Sequence, residues 1–201
     1  MVIQGLPVGI DVNLLVHLST VNLWLHVVSL ALWVGAIAFF LFVFGPAVRT
    51  LPAGAGIQAL NSGRRSLEAL SWIAMTFVLI TGLFNLVLRG AGSGFELGAG
   101  YTTVLSLKLF LFLAMVFHHF LQALKYAPEI ASHTARAKAD LEARFDSAQS
   151  STEAHSKSRA EPVEAWPEPL LALWKRWFLL LKINATLGQI ALLLGLGLAR
   201  G

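Results

Sequence analysis

VNLWLHVVSLALWVGAIAFFLFVF, residues Val21 to Phe44, is an apolar run without a single Asp, Glu, Lys or Arg. Crossing the hydrocarbon layer of a membrane takes roughly 20 mostly apolar residues in a helix. Three further runs in the chain meet that length: Leu70 to Leu88, Val104 to Leu124 and Phe178 to Leu198. Apolar residues make up 56% of the chain and charged residues 13%, about half the charged share of an ordinary water-soluble domain. The reading is an all-α integral membrane protein, a single transmembrane domain (1–201) built as a four-helix bundle with helices at about 21–44, 70–88, 104–124 and 178–198. A cleaved secretory leader is the alternative for the first run. Its apolar stretch is too long for one and no basic flank precedes it, so it is read as a retained helix.

Placing the charges orients the helices. Arg49, Arg64 and Arg65 lie between the first two runs. Lys125, Arg136, Lys138, Arg144, Lys157, Arg159, Lys175, Arg176 and Lys182 lie between or beside the last two. The opposite ends carry only Arg89 and Arg200, with Asp11 and Glu96. Basic loops stay in the cytoplasm, which predicts both termini outside (N-out/C-out). The net charge of +4 then reflects topology and anionic lipid, not a nucleic-acid partner. With no cysteine in the chain, thiolate metal sites and disulfides are excluded.

Between the runs the chain reads as follows. Helix one stops at Gly45-Pro46, since proline lacks a donor and its ring clashes with the preceding turn. Val12 to Thr20 either extends it or lies along the interface, with Trp24 as an anchor. A first cytoplasmic loop holds Pro52 and Ala53-Gly54-Ala55-Gly56, followed by an amphipathic stretch from Ile57 to Leu70. The glycine-rich outer loop Arg89 to Thr102 reads as irregular and mobile. Residues 130–169 form a long cytoplasmic connector between helices three and four. Within it Ala131 to Phe145 continues helix three in water, and Ser147 to Pro169 is too polar to order itself. Trp174 and Trp177, beside Lys175 and Arg176, mark the inner interface.

Ionisable side chains inside a spanning helix are costly and so are functional candidates. His26, Lys108, His118 and His119 qualify. At about 1.5 Å of rise per residue, His26, Thr81, Asn85 and Lys108 fall in one slab near the outer face. His26 shares a helix face with Asn22, Leu30 and Trp33. Lys108 either snorkels outward, pairs with a ligand or stands uncharged. His118 and His119 sit nearer the cytoplasm and point about 100° apart, which is unsuited to chelating one ion together. Lys108, Met115 and His119 share a face that Gln122 extends. Met115 and His119, one turn apart, present a thioether and an imidazole, a donor pair that suits Cu(I). His26 and His119 differ in depth by on the order of 15 Å, so a haem pinned by both is disfavoured.

The residues Leu25-His26-Val27-Val28 through Leu32-Trp33-Val34-Gly35, then Phe39 and Pro46, resemble the opening helix of the CopD family of bacterial copper-resistance proteins. Arg64 to Asn85, ending Ile80-Thr81-Gly82-Leu83-Phe84-Asn85, is similar to that family's second helix, and Leu107-Lys108-Leu109 to its third. The likeness covers roughly Val21 to Pro128. It implies a multi-pass protein of the bacterial cytoplasmic (inner) membrane that handles copper, in uptake, relay or resistance, through His26, His118, His119 and Met115, with a copper-delivery or redox partner. The helix-one His and helix-three Lys also resemble the HemJ-type protoporphyrinogen oxidases, small four-helix haem b proteins. That likeness implies a haem-dependent membrane oxidoreductase or electron-transfer protein in which His26 and Lys108 hold the cofactor and His118 or His119 matches the family's following His; by depth and helix face, Thr81, Asn85 and Trp33 join them as candidate cofactor-site residues. The chain departs from the haem family in having no arginine close after His26. A structural subunit, with these groups joining helices by hydrogen bonds, is the third reading.

Overall fold

The computed structural model describes residues 12–92, 94, 96, 98–152 and 166–198. Asp11, Lys157, Arg159, Pro162 and Arg200 lie outside them, as does 153–165 of the connector. Among the described residues the chain is helical, with no strand. Helix α1 (Val12–Phe39) passes through a π-helical turn, Phe40–Phe44, into the short α2 (Gly45–Val48); α3 spans Ala53–Gly92. Helix α4 (Ala99–Phe120) passes through a second π turn, Leu121–Tyr126, into α5 (Ala127–Thr152), and α6 spans Glu168–Leu198. Four stretches are long and apolar enough to cross a membrane: Asn13–Val48, Ala53–Ala91, Ala99–Asp140 and Glu168–Gly195.

The helices outrun the apolar segments. Helix one does not stop at Gly45-Pro46. The Gly45 N–H reaches back five residues to the Phe40 carbonyl, so the turn just before the proline is wide. A wide turn moves the preceding carbonyls out of the path of the ring, and the helix continues to Val48. The same device recurs at Ala127-Pro128, where the Ala127 N–H bonds to the Gln122 carbonyl. Ala53 to Gly56, expected in a loop, forms the first turn of α3. The stretch expected as an irregular outer loop is partly helical, because α3 reaches Gly92 and α4 starts at Ala99. Ala131 to Phe145 does continue the third helix, and the helix carries on over Ser147–Thr152, where disorder was expected.

The chain forms two compact units. The first comprises residues 1–36, 69–116 and 186–201, the second 37–68 and 117–185. In the first, Ser71, Ala74, Met75, Val78 and Thr81 repeat every three or four residues along α3, and all are buried. Trp33, Val34, Leu111 and Met115 are buried in the same unit. Gly188 belongs to it as well: a Cβ there would collide with the Val34 side chain and come within 3.1 Å of the Met115 methyl. In the second unit one face of α6 is buried at Leu170, Trp174, Trp177, Leu181, Asn184 and Ala185. Phe40 meets Trp177 edge-on at 5.3 Å, and Trp177 meets Trp174 at 5.4 Å. These two indoles, read as marking the inner interface, are buried in this unit's core, and Lys175 and Arg176 between them are exposed.

The outer surface is as apolar as the core. Phe42, Phe110, Leu193, Leu83 and Ile80 are each 60% exposed or more. Apolar exposure on this scale is incompatible with a water-soluble monomer. In a bilayer it is the expected surface, since lipid tails solvate Leu and Phe.

Candidate functional site

The first unit gathers a polar cluster. Asn22 lies one turn before His26 on α1. Its amide donates to the Thr81 carbonyl at 2.9 Å and to the Asn85 side-chain oxygen at 2.8 Å. His26 Nδ1 stands 2.9 Å from Thr81 Oγ1. The Thr81 hydroxyl itself donates to the Phe77 carbonyl one turn back, the usual habit of helical threonine. With its hydrogen given to Phe77, Thr81 accepts in the His26 contact and Nδ1 carries the proton. That arrangement corresponds to the tautomer with Nδ1 protonated and the lone pair on Nε2.

The space for the ring is made by a glycine. A Cβ on Gly82 would lie 3.1 Å from His26 Cε1 and 3.6 Å from Nδ1. Gly82 therefore lets α3 approach the imidazole on the edge that carries the anchored nitrogen. Lys108 belongs to the same unit and is half-buried on α4. It lies beside Gly195 of α6, with Nζ 3.5 Å from where a Cβ would stand. Trp33, two turns from His26, is fully buried and its indole N–H has no partner among the described residues.

The other candidates are placed elsewhere. Met115 is buried in the first unit beside Val34 and Gly188. Val34 is eight residues from His26, about 12 Å along the helix, so the thioether packs at a different level from the imidazole. His118 and His119 belong to the second unit. His118 is half-buried, edge-on to Phe117 at 6.0 Å, and His119 is buried. Among the described residues no three His, Cys, Asp or Glu side chains approach as a metal-binding group.

Several buried polar groups carried no functional expectation. Arg64, which is 3% exposed, donates to Glu68 at 2.6 Å and twice to Asn61, at 2.9 and 3.2 Å. These partners sit three residues before and four after it, so the ladder is written in the spacing. Gln122 donates to the Trp177 carbonyl at 3.2 Å. Asn184 is 1% exposed, and neither its amide nitrogen nor its oxygen has a partner among the described residues. An Asn inside the apolar run from Phe178 to Leu198 was the available signal. No family model matches the sequence, and no curated protein or solved structure is significantly similar to it.

Proposed function

We propose that this chain is a haem b-binding redox or electron-transfer protein of the bacterial cytoplasmic membrane, with His26 as the ligand to the iron. The observation that carries the reading is the contact of His26 Nδ1 with the Thr81 hydroxyl. Histidine ligands to metals are typically held by a hydrogen bond from one ring nitrogen to an oxygen, which leaves the other nitrogen's lone pair for the metal. Here Thr81 Oγ1 stands at 2.9 Å from Nδ1, and Nε2 is the lone-pair donor that remains. The donor chemistry fits a prosthetic group that needs one strong protein ligand. Haem bound there would supply a one-electron carrier within the membrane. Lys108 supplies a cation for a porphyrin carboxylate, Gly82 makes room for the ligand ring, and Asn22 and Asn85 tie α1 to α3 around it. With both termini outside and the basic loops in the cytoplasm, this site lies toward the outer face, where a redox partner docks.

Copper handling, implied by the CopD likeness, would use the same nitrogen. A Cu(I) ion, however, takes two or more soft or imidazole donors, and Met115 is packed beside Val34 and Gly188, about 12 Å along the helix from His26.

The test is an absorption spectrum of the purified protein, oxidised and dithionite-reduced, beside iron and copper analysis, for the wild type and His26→Ala. A Soret band with sharp reduced bands that is lost in His26→Ala is the expected result. A colourless protein from haem-replete cells refutes the haem reading, and stoichiometric copper in that protein, lost in His26→Ala, establishes the copper one.

A further inference from the structure

Asn22 of α1 meets Asn85 of α3 one turn outward from the His26 and Thr81 pair, and a backbone carbonyl fixes which way both amides point. One Asn22 side-chain atom lies 2.9 Å from the Thr81 carbonyl oxygen. A carbonyl only accepts, so that atom is the Asn22 nitrogen. The same nitrogen lies 2.8 Å from the Asn85 side chain. It has only its second hydrogen to offer there, so the Asn85 atom it meets is the oxygen. Both hydrogens of Asn22 are then used, and the Asn85 NH2 group is the end of that amide not held by Asn22. This NH2 group has no partner among the described residues, and Asn85 is only half-buried. An amide whose oxygen is held is a donor of fixed direction.

Its place says what it donates to. In the orientation proposed above, α3 runs toward the outer face, so Asn85, four residues past Thr81, lies about 6 Å nearer the outside. The next polar side chain at helical spacing is Arg89, which is stacked over the Tyr101 ring at 4.3 Å. A haem on Nε2 of His26 carries two carboxylates at one edge. Ionised groups are costly in hydrocarbon, so that edge turns outward. The first side-chain donor that α3 offers on that path is Asn85. Lys108 of α4, half-buried in the same unit, supplies charge. An ammonium on a flexible stem is a point charge with little preference for direction, whereas a held amide dictates where the acceptor oxygen lies.

We propose that Asn85 is a specificity-determining residue of this site, donating its NH2 group to a haem carboxylate, and that Asn22 is the positioning residue that aims it. The assignment rests on the haem reading and extends it from the iron to the edge of the ring: the site selects tetrapyrroles with free carboxylates.

The experiment titrates detergent-purified apoprotein with haem and with haem dimethyl ester, in which both carboxylates are masked and the iron is unchanged. Soret absorbance gives the two affinities for wild type, His26→Ala, Asn85→Leu, Asn85→Asp and Asn22→Leu. The readout is their ratio, because a residue that only ties α1 to α3 changes both affinities alike. Wild type should prefer the free acid. Asn85→Leu should lower that preference on the order of tenfold, the difference between a hydrogen bond to a charged acceptor and one to a neutral acceptor. Asn85→Asp keeps the oxygen that Asn22 holds and puts an acceptor in place of the donor, so it should lower the ratio at least as far even if the leucine variant misfolds. Asn22→Leu lets the Asn85 amide turn and should lose part of the preference; a ratio unchanged in that variant removes the positioning role of Asn22. A wild type that binds neither ligand refutes the haem reading and this assignment with it. Haem bound through His26, with the wild-type ratio kept in both Asn85 variants, overturns the assignment and leaves the haem reading standing.

Discussion

Replacing Thr81 by valine removes a single oxygen from the surroundings of His26 while keeping the shape of the side chain. With the Thr81 hydrogen given to Phe77, the wild-type oxygen accepts from Nδ1 at 2.9 Å. Asn22 is unaffected, because it bonds to the backbone carbonyl of residue 81. Interhelical side-chain hydrogen bonds inside membranes are worth about 0.6 kcal/mol on average and about 1.7 at most. At about 1.4 kcal/mol per tenfold, that is a loss of roughly 3-fold to 16-fold in haem affinity. Removing the outer partner of a metal-bound histidine typically costs about 10–100-fold. The two scales meet near tenfold, which is the expected loss in Thr81→Val. The ligand also becomes less basic when its N–H has no strong acceptor, so the haem midpoint potential should rise. Thr81→Ser, which keeps the hydroxyl, should restore both quantities. Haem titration of apoprotein and redox potentiometry on the three proteins measure them. If Thr81→Val binds haem with unchanged affinity and potential while His26→Ala loses it, the tautomer argument is wrong.

A Cβ at residue 82 would press on the imidazole at 3.1 Å, so Gly82→Ala should weaken haem binding a few-fold and Gly82→Val should nearly abolish it, read from the Soret absorbance per protein. Arg64→Leu strands the Glu68 carboxylate and the Asn61 oxygen; unfolding in mixed micelles should show a loss of about 1.5–3 kcal/mol, partly recovered in Arg64→Leu/Glu68→Leu. If the double variant is no better than the single one, the pair is not what Arg64 stabilises. Asn184→Leu should leave stability unchanged or raise it by up to about 1–3 kcal/mol, because the wild-type amide is buried without partners among the described residues. A clear loss of stability in that variant would show that the amide is satisfied.

The number and class of helices were legible because a bilayer demands length and apolarity and little else. Their ends were not. Pro46 has the chemistry of a stop, and whether it ends a helix depends on whether the turn before it can widen. Phe40–Phe44 does widen, and Phe40 at its start packs against Trp177 in the second unit, a contact far from Pro46 in sequence. In the same way, Ala53-Gly54-Ala55-Gly56 has the composition of a loop but belongs to a helix. A Cβ on Gly56 would lie 3.1 Å from the Val48 carbonyl and 3.2 Å from the Trp166 ring. The glycine there serves close packing, a use that composition does not separate from a turn. Trp174 and Trp177 followed the same logic: an indole beside a lysine signals an interface, but the three- and four-residue steps from Leu170 to Leu181 aim both rings inward.

The site was legible to the extent that depth alone could assemble it. Counting residues placed His26, Thr81, Asn85 and Lys108 in one slab, and the first unit holds all four. What depth cannot supply is direction, and direction carries the chemistry. Whether Thr81 donates to His26 or accepts from it depends on the Phe77 carbonyl, four residues back on its own helix. That bond makes Thr81 an acceptor and so moves the lone pair of His26 to Nε2. Depth also grouped Met115 with His119 by one turn of spacing, yet spacing says nothing about what the thioether methyl touches. Beside Gly188 and Val34 it fills a space that a glycine leaves open, as methionine does in an irregular core. The histidine is thus anchored at one nitrogen and the methionine packed elsewhere, and this difference favours a cofactor held by one imidazole over an ion shared between soft donors.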